Sequence, residues 1–186
     1  FGQGRRFLGS AGPILDRMRD PDEAIRAEAL RALGRIFAGE ARMSVMVPGL
    51  DDPSPVVRRA AVEGLASAGG AEVVERLERL LDDPDGDVRL LVIETLGRLG
   101  RRSAVPRLVA ELGRGDRRLD RSVVVALGAI GGRESAQFLA GRLRTADPAQ
   151  QAVILEALGR IGDERTVPAV LVCLGDPDWS VRSAAV

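Results

Sequence analysis

Residues 83–112 read DPDGDVRLLVIETLGRLGRRSAVPRLVAEL, and this stretch recurs along the chain with a period of 31 residues. A Leu-Gly pair marks most copies, at residues 33–34, 96–97, 127–128 and 158–159, and Leu65-Ala66 marks a looser one. A fixed period of this size is typical of a solenoid, in which similar supersecondary units stack on one another. The sequence therefore predicts a helical repeat array.

Each copy contains two amphipathic segments, which we name helix A and helix B. In residues 83–112 the apolar side chains of helix A share one helical face, and helix B begins near Ser103. We predict A helices at 21–37, 53–68, 84–99, 117–130, 148–161 and from 177 onward. We predict B helices at 11–19, 40–50, 71–81, 103–113, 133–144 and 164–174.

An Asp-Pro pair precedes most A helices, as at Asp83-Pro84 and Asp147-Pro148. We expect the aspartate to cap the helix and the proline to occupy its first position, because the first N–H groups of a helix lack partners. The glycine of the Leu-Gly pair lies inside helix A, where glycine costs about 1 kcal/mol relative to alanine. We therefore expect Gly97, Gly128 and Gly159 to lie at close helix–helix contacts.

The composition narrows the classes of function. The chain has 27 basic and 27 acidic residues, and this balance argues against nucleic-acid and membrane partners. It has no His, so a Ser-His-Asp or Cys-His arrangement is impossible, and we expect no enzymatic activity and no cofactor. All basic residues are Arg and Asn is absent, which indicates a high-GC, bacterial genome. The single cysteine, Cys173, fits a reducing compartment and a cytoplasmic location.

The order Asp-Pro-x-x-x-Val-Arg, an apolar helix, Leu-Gly-x-Leu/Ile-Gly and Ala-Val-Pro-x-Leu resembles the short bacterial HEAT repeats, also called PBS-lyase-type HEAT-like repeats. The matches are fullest at 83–112 and 147–174 and looser at 52–81 and 20–50. The resemblance implies an all-α, right-handed α-solenoid of about five antiparallel helix pairs.

We interpret residues 1–186 as a single array with partial repeats at 1–19 and 175–186. These partial repeats lead us to expect a segment of a longer array. In the last one, Val181 and its apolar neighbours Ala185 and Val186 are expected to face a helix that is absent.

The repeat places Arg58, Arg89 and Arg182 in register, with Arg26 in the looser first copy. They could form a stripe for acidic partners, but the acidic turns nearby favour a structural ladder of Arg–carboxylate pairs. The fourth copy departs from the pattern, with Asp120 at the arginine position, and the fifth has Gln151 there. Whether the segment from Asp116 to Arg121 is a site or a drift of the repeat stays open.

In the HEAT family the B helices line the concave face, which implies a partner-binding surface that is mixed in charge. Its candidate residues are Arg76, Arg79, Arg107, Glu111, Gln137 and Arg142. Trp179, in the first turn of the last A helix, is a further candidate anchor, although it could equally pack on a neighbouring turn. A mixed surface suits a protein partner.

Three functions follow from the resemblance. The first is a non-catalytic protein–protein interaction scaffold or adaptor subunit. The second is a bilin lyase-like subunit that handles a chromophore, against which the few aromatic residues and the absence of His and Tyr argue. The third is a HEAT-like DNA-repair glycosylase, which the balanced charge disfavours. The metal-dependent hydroxylases of the family rely on His-Glu pairs, which this sequence lacks.

Overall fold

A computed structural model of the chain describes residues 11–66, 68 and 70–186. All regular structure in these ranges is helical, with no strand. The α-helices are α1 (Gly12–Arg17), α2 (Glu23–Ile36), α3 (Gly39–Met46), α4 (Pro55–Leu65), α5 (Ala71–Arg79), α6 (Gly86–Leu99), α7 (Val105–Val109), α8 (Arg117–Ile130), α9 (Gly132–Arg142), α10 (Pro148–Ile161), α11 (Val167–Cys173) and α12 (Trp179–Ala184). Short 3₁₀ segments lie at Val47–Asp51, Leu80–Asp82, Arg102–Ala104 and Glu164–Thr166.

The chain folds as two compact units, Phe1–Thr95 and Leu96–Val186. In the first unit the A helices α2 and α4 pack on each other, and the B helix α3 contacts both. In the second unit α8 packs on α10 and α10 on α12, while the B helix α9 contacts both α8 and α10. A helices stacked on A helices, with B helices alongside, are the packing of an α-solenoid, which confirms the predicted fold class.

The predicted helices exist, with shifted boundaries. α8 and α10 coincide with the predictions at 117–130 and 148–161, whereas α2, α4, α6 and α12 each begin two residues later than predicted. Most B helices are shorter than predicted because a 3₁₀ segment replaces one end. The segment predicted at 103–113, for example, is a 3₁₀ turn followed by the five-residue α7.

The late starts correct the role that we predicted for the Asp-Pro pairs. Capping side chains lie two residues after the aspartate of the pair, at Asp22, Ser54, Asp85 and Asp178. The aspartate itself forms a tight turn, as where Asp52 Oδ1 accepts from the Ser54 N–H at 2.9 Å. Asp147 does cap α10, through the Gln150 N–H, since Ala149 stands where the other copies have a capping side chain.

Two of the three glycine predictions are confirmed. A Cβ on Gly97 would lie 2.9 Å from the Cα of Ala126, and one on Gly128 would lie 2.9 Å from the Cβ of Ala157. A side chain at either position would separate the stacked A helices. The prediction for Gly159 is wrong, because nothing lies within 4 Å of its Cβ position. The next alanine of this series, 31 residues after Ala157, would fall beyond the sequence.

The expectation for the last helix is corrected at one residue. Val181 is fully buried, since α12 packs on α10, whereas Val186 is exposed and Ala185 is half-buried. At the other end, residues 1–10 of the partial repeat predicted at 1–19 lie outside the described residues. Within the described ranges, no helix has both the length and the apolar character needed to cross a bilayer.

Candidate functional site

In the first unit, arginines at equivalent positions of the repeats form ion pairs with carboxylates of the next repeat. Arg26 donates two hydrogen bonds of 2.9 Å to the Asp52 carboxylate, and Arg58 donates two, of 2.7 and 2.8 Å, to that of Asp83. The bonds that Arg26 donates hold the pKa of Asp52 below its usual value, and the bonds that Arg58 donates to Asp83 raise the pKa of Arg58. These two pairs confirm the structural ladder at Arg26 and Arg58.

The same arginines also close the turn that precedes their own helix. Arg58 Nη1 donates to the carbonyl oxygens of Asp52 and Pro53 at 2.8 and 3.0 Å. Arg26, Arg89 and Arg182 make the corresponding bonds in their own copies. One guanidinium group in this register can thus stabilise a turn and, for Arg26 and Arg58, an inter-repeat contact as well.

The irregular fourth and fifth copies keep the turn contact with different chemistry. Asp120 Oδ1 accepts from the Gly113 N–H at 2.9 Å, and Gln151 Nε2 donates to the Leu143 carbonyl at 2.9 Å. In both copies the side chain still reaches the preceding turn. The position therefore retains its structural role although its arginine is lost.

A cavity of about 170 Å³ lies at this irregular region of the second unit. It is lined by the first halves of α8 and α10 and by residues near the ends of the preceding B helices. Its apolar lining includes Leu112, Val124, Val153 and Ile154. Its charged lining consists of Arg117, Asp120, Arg121, Arg142 and Asp147. We name it the α8–α10 cavity.

The charged groups of this cavity differ in their partners. Both carboxylates accept backbone hydrogen bonds, Asp120 from Gly113 and Asp147 from Gln150, and Arg117 lies 3.4 Å from the Asp147 carboxylate. Within the described part of the chain, the guanidinium groups of Arg121 and Arg142 have no hydrogen bond or ion pair. The cavity thus combines apolar surface with two cationic groups that are available to a ligand.

Of the candidate residues proposed from the sequence, Arg142 lines this cavity. Arg76 and Arg79 lie on α5, in the first unit, where they pair with Glu72 and Glu75 at 3.7 and 3.0 Å. Gln137 is exposed on α9 and does not line the α8–α10 cavity.

The expectation that Glu111 contributes to an exposed surface is corrected. Glu111 is only 4 % exposed, and its two carboxylate oxygens accept from Arg107 and Arg114. A buried carboxylate requires such partners, and the partly exposed Arg107 and Arg114 supply them to Glu111. Arg121 and Asp120, which line the cavity, were absent from the proposed set. The loss of arginine at position 120 is the feature of the sequence that could have pointed to these two residues.

Trp179 is 72 % exposed at the start of α12, directly after the capping residue Asp178. This exposure favours its interpretation as an anchor over packing on a neighbouring turn.

Cys173 is buried on α11, and burial raises the pKa of its thiol. In the described residues, no group of three or more metal-ligating side chains occurs.

Solved structures of repeat proteins are similar to this chain. One is the complex of CpcE and CpcF of phycocyanin lyase from Nostoc sp. PCC7120, with a TM-score of 0.66 and 21 % identity over 94 % of this chain and 74 % of that one. A designed armadillo repeat protein in complex with the peptide (KR)4 has a TM-score of 0.54 and 21 % identity, over 93 % of this chain and 95 % of that one. Human deoxyhypusine hydroxylase in complex with glycerol has a TM-score of 0.53 and 16 % identity, over 98 % of this chain and 95 % of that one.

Sequence identities of 21 % and below support a shared fold and no shared function. A sequence comparison with curated proteins gives no match. The family model for HEAT repeats matches residues 13–90, 75–154 and 142–186, which together span nearly the whole chain. The repeat period, the stacked helix pairs and this match lead to one conclusion: the chain belongs to the HEAT repeat family.

Proposed function

We propose that this chain is a non-catalytic scaffold or adaptor that binds another protein through the surface of its repeats. The observation that carries the proposal is the α8–α10 cavity, whose apolar lining is joined by two guanidinium groups without a partner in the described residues. Its volume of about 170 Å³ is below the roughly 300–1,000 Å³ of small-molecule sites and suits one protruding side chain.

Other features support a protein partner. Trp179 offers a large exposed aromatic surface, and tryptophan is enriched among the residues that dominate protein interfaces. Two of the similar structures are complexes with a protein or a peptide. The absence of His supports the non-catalytic part of the proposal, and the balanced charge supports a protein rather than a nucleic acid. The lone buried Cys173 is consistent with a cytoplasmic location.

The test begins with capture of partners on the tagged chain from a lysate of the source organism at physiological salt. A captured protein is then purified and mixed with the chain, and the mixture is resolved by size-exclusion chromatography with light scattering. We expect a complex of defined stoichiometry. The proposal is contradicted if no captured protein re-forms a complex, or if the purified chain itself turns over a substrate.

A bilin-handling role is a second candidate. Beside the likeness to a phycocyanin lyase structure, one observation favours it: a second cavity, of about 550 Å³, whose size is within the small-molecule range. Leu143, Val172 and Cys173 contribute to its apolar lining, and its charged lining consists of Arg144, Arg165 and Asp176. Arg165 is already held by Asp163 at 2.8 Å, which leaves Arg144 for an anionic propionate of a tetrapyrrole.

Titration with a linear tetrapyrrole, followed by visible absorbance and circular dichroism, tests this candidate. Saturable spectral changes that weaken in R144Q but not in R160Q, an exposed arginine outside this cavity, would support it. A chromophore spectrum that is unchanged at all protein concentrations would exclude the bilin-handling role.

A further inference from the structure

We propose that the α8–α10 cavity binds an acidic side chain of the partner polypeptide, a glutamate or an aspartate, with a neighbouring aliphatic side chain against the apolar lining. This inference rests on the proposed function, because it names the chemistry of the partner at that site. The cavity lies within the second unit, and Arg121 and Arg142 are its recognition groups.

The balance of satisfied and unsatisfied charges selects the ligand. Asp120 and Asp147 are held by backbone N–H groups, and Arg117 lies beside Asp147. Arg121 and Arg142 have no such partner among the described residues. Each guanidinium offers five N–H donors in a planar fork, which matches the two oxygens of a carboxylate. Arg142 is half-buried, and a charge partly shielded from water is attracted more strongly by a counter-charge than an exposed one is.

The repeat register distinguishes Arg121 from the arginines that hold neighbouring repeats together. In the first unit, Arg26 and Arg58 are held in ion pairs with Asp52 and Asp83. In the fourth copy the register position is Asp120, and an arginine stands at the next position. Arg121 is exposed, lines the cavity and makes no ion pair with another described residue.

The size of the cavity limits what enters. A dry cavity of about 150 Å³ lined by aliphatic side chains accommodates one benzene molecule. The α8–α10 cavity, at about 170 Å³, therefore takes one side chain and part of a neighbouring one. Its aliphatic lining favours a flanking Leu, Ile or Val on the ligand, because burial of such a side chain against Leu112 and Val153 removes apolar surface from water.

The probe is the peptide acetyl-Leu-Glu-Leu-amide, and its matched control is acetyl-Leu-Gln-Leu-amide. Each is titrated into the ¹⁵N-labelled full chain, and two-dimensional NMR follows the Nε–Hε signals of Arg121 and Arg142 and the backbone amide of Gln150. We expect saturable shifts of these signals with the Glu peptide. The Gln peptide should bind at least about tenfold more weakly, because it lacks the charge that the guanidinium groups pair with.

Variants locate the site. R142Q and R121Q should each weaken the binding of the Glu peptide by about tenfold. R160Q, which replaces an exposed arginine on the far part of α10, should leave that binding unchanged. Amide spectra establish that each variant is folded, and R121Q replaces an exposed side chain whose loss cannot disturb the core. Equal binding of both peptides, or unchanged binding by R142Q and R121Q, would overturn the proposal. So would inorganic phosphate that reproduces the same shifts at equal concentration.

The proposed function and this inference can fail separately. If a reconstituted partner binds wild type, R142Q and R121Q with equal affinity, the scaffold role stands and the acidic-side-chain site is wrong. If no partner is found, the scaffold role is contradicted, while the peptide titration still decides whether the cavity recognises a carboxylate.

Discussion

Arg58 donates two hydrogen bonds to Asp83, Nε to Oδ2 at 2.7 Å and Nη2 to Oδ1 at 2.8 Å, and so joins two consecutive repeats. Both residues are buried, Arg58 at 8 % and Asp83 at 6 % exposure. Removal of either one therefore leaves an unpaired charge inside the stack, which is far more costly than loss of a surface pair.

We expect Arg58→Ala to lower the free energy of unfolding by about 3–5 kcal/mol, the range for one broken partner of a buried pair. Urea unfolding followed by circular dichroism measures it. The matched control is Arg79→Ala, which removes a pair with Glu75 whose side chains are 67 % and 69 % exposed. That change should alter stability by no more than about 1 kcal/mol. Equal effects of the two substitutions would contradict the structural role of the ladder.

The Arg26–Asp52 pair makes stability depend on pH. Hydrogen bonds from Arg26 lower the pKa of Asp52 in the folded state, so the unfolded chain binds more protons in acid. The stabilisation is complete above the ordinary aspartate pKa of about 3.9, and it is lost as the pH falls below that value and through the lowered pKa of Asp52 in the folded state. Urea unfolding between neutral pH and acid should therefore show a shallower acid decline for Asp52→Asn than for wild type. Identical slopes would show that this pair does not contribute.

Gly97 and Gly159 occupy equivalent positions in different surroundings. A Cβ on Gly97 meets the backbone of Ala126 at 2.9 Å, so Gly97→Ala should destabilise the chain by about 1–3 kcal/mol through overpacking. Gly159→Ala meets no atom within 4 Å and should stabilise it by up to about 1 kcal/mol, the helix propensity difference. Denaturant melts that move both variants in the same direction would contradict the close packing at Gly97.

Trp179 is the sole tryptophan, so its fluorescence reports on its own surroundings. At 72 % exposure it should emit as a hydrated indole, and Trp179→Ala should change stability by no more than about 0.5 kcal/mol. If Trp179 is an anchor, a reconstituted partner shifts its emission to shorter wavelength. An emission maximum that the partner leaves in place would remove Trp179 from the interface.

The helix order could be predicted from the sequence because the period repeats the same apolar stripe. The predicted helix starts failed where a local competition decides the cap. Asp52 forms a turn because Ser54 can cap, and Asp147 caps because Ala149 cannot. The cavity could not be predicted because Arg121 and Arg142 come from different helices. Their shared location depends on how those helices pack, which no single repeat encodes.

Isothermal titration calorimetry with a purified partner measures whether the chain binds a protein. We predict a saturable isotherm for wild type, the same isotherm for R160Q, and an affinity at least about tenfold weaker for R142Q. A wild-type titration without saturable heat at several temperatures would contradict the account, because burial of apolar surface makes the binding heat depend on temperature and cannot leave it at zero throughout.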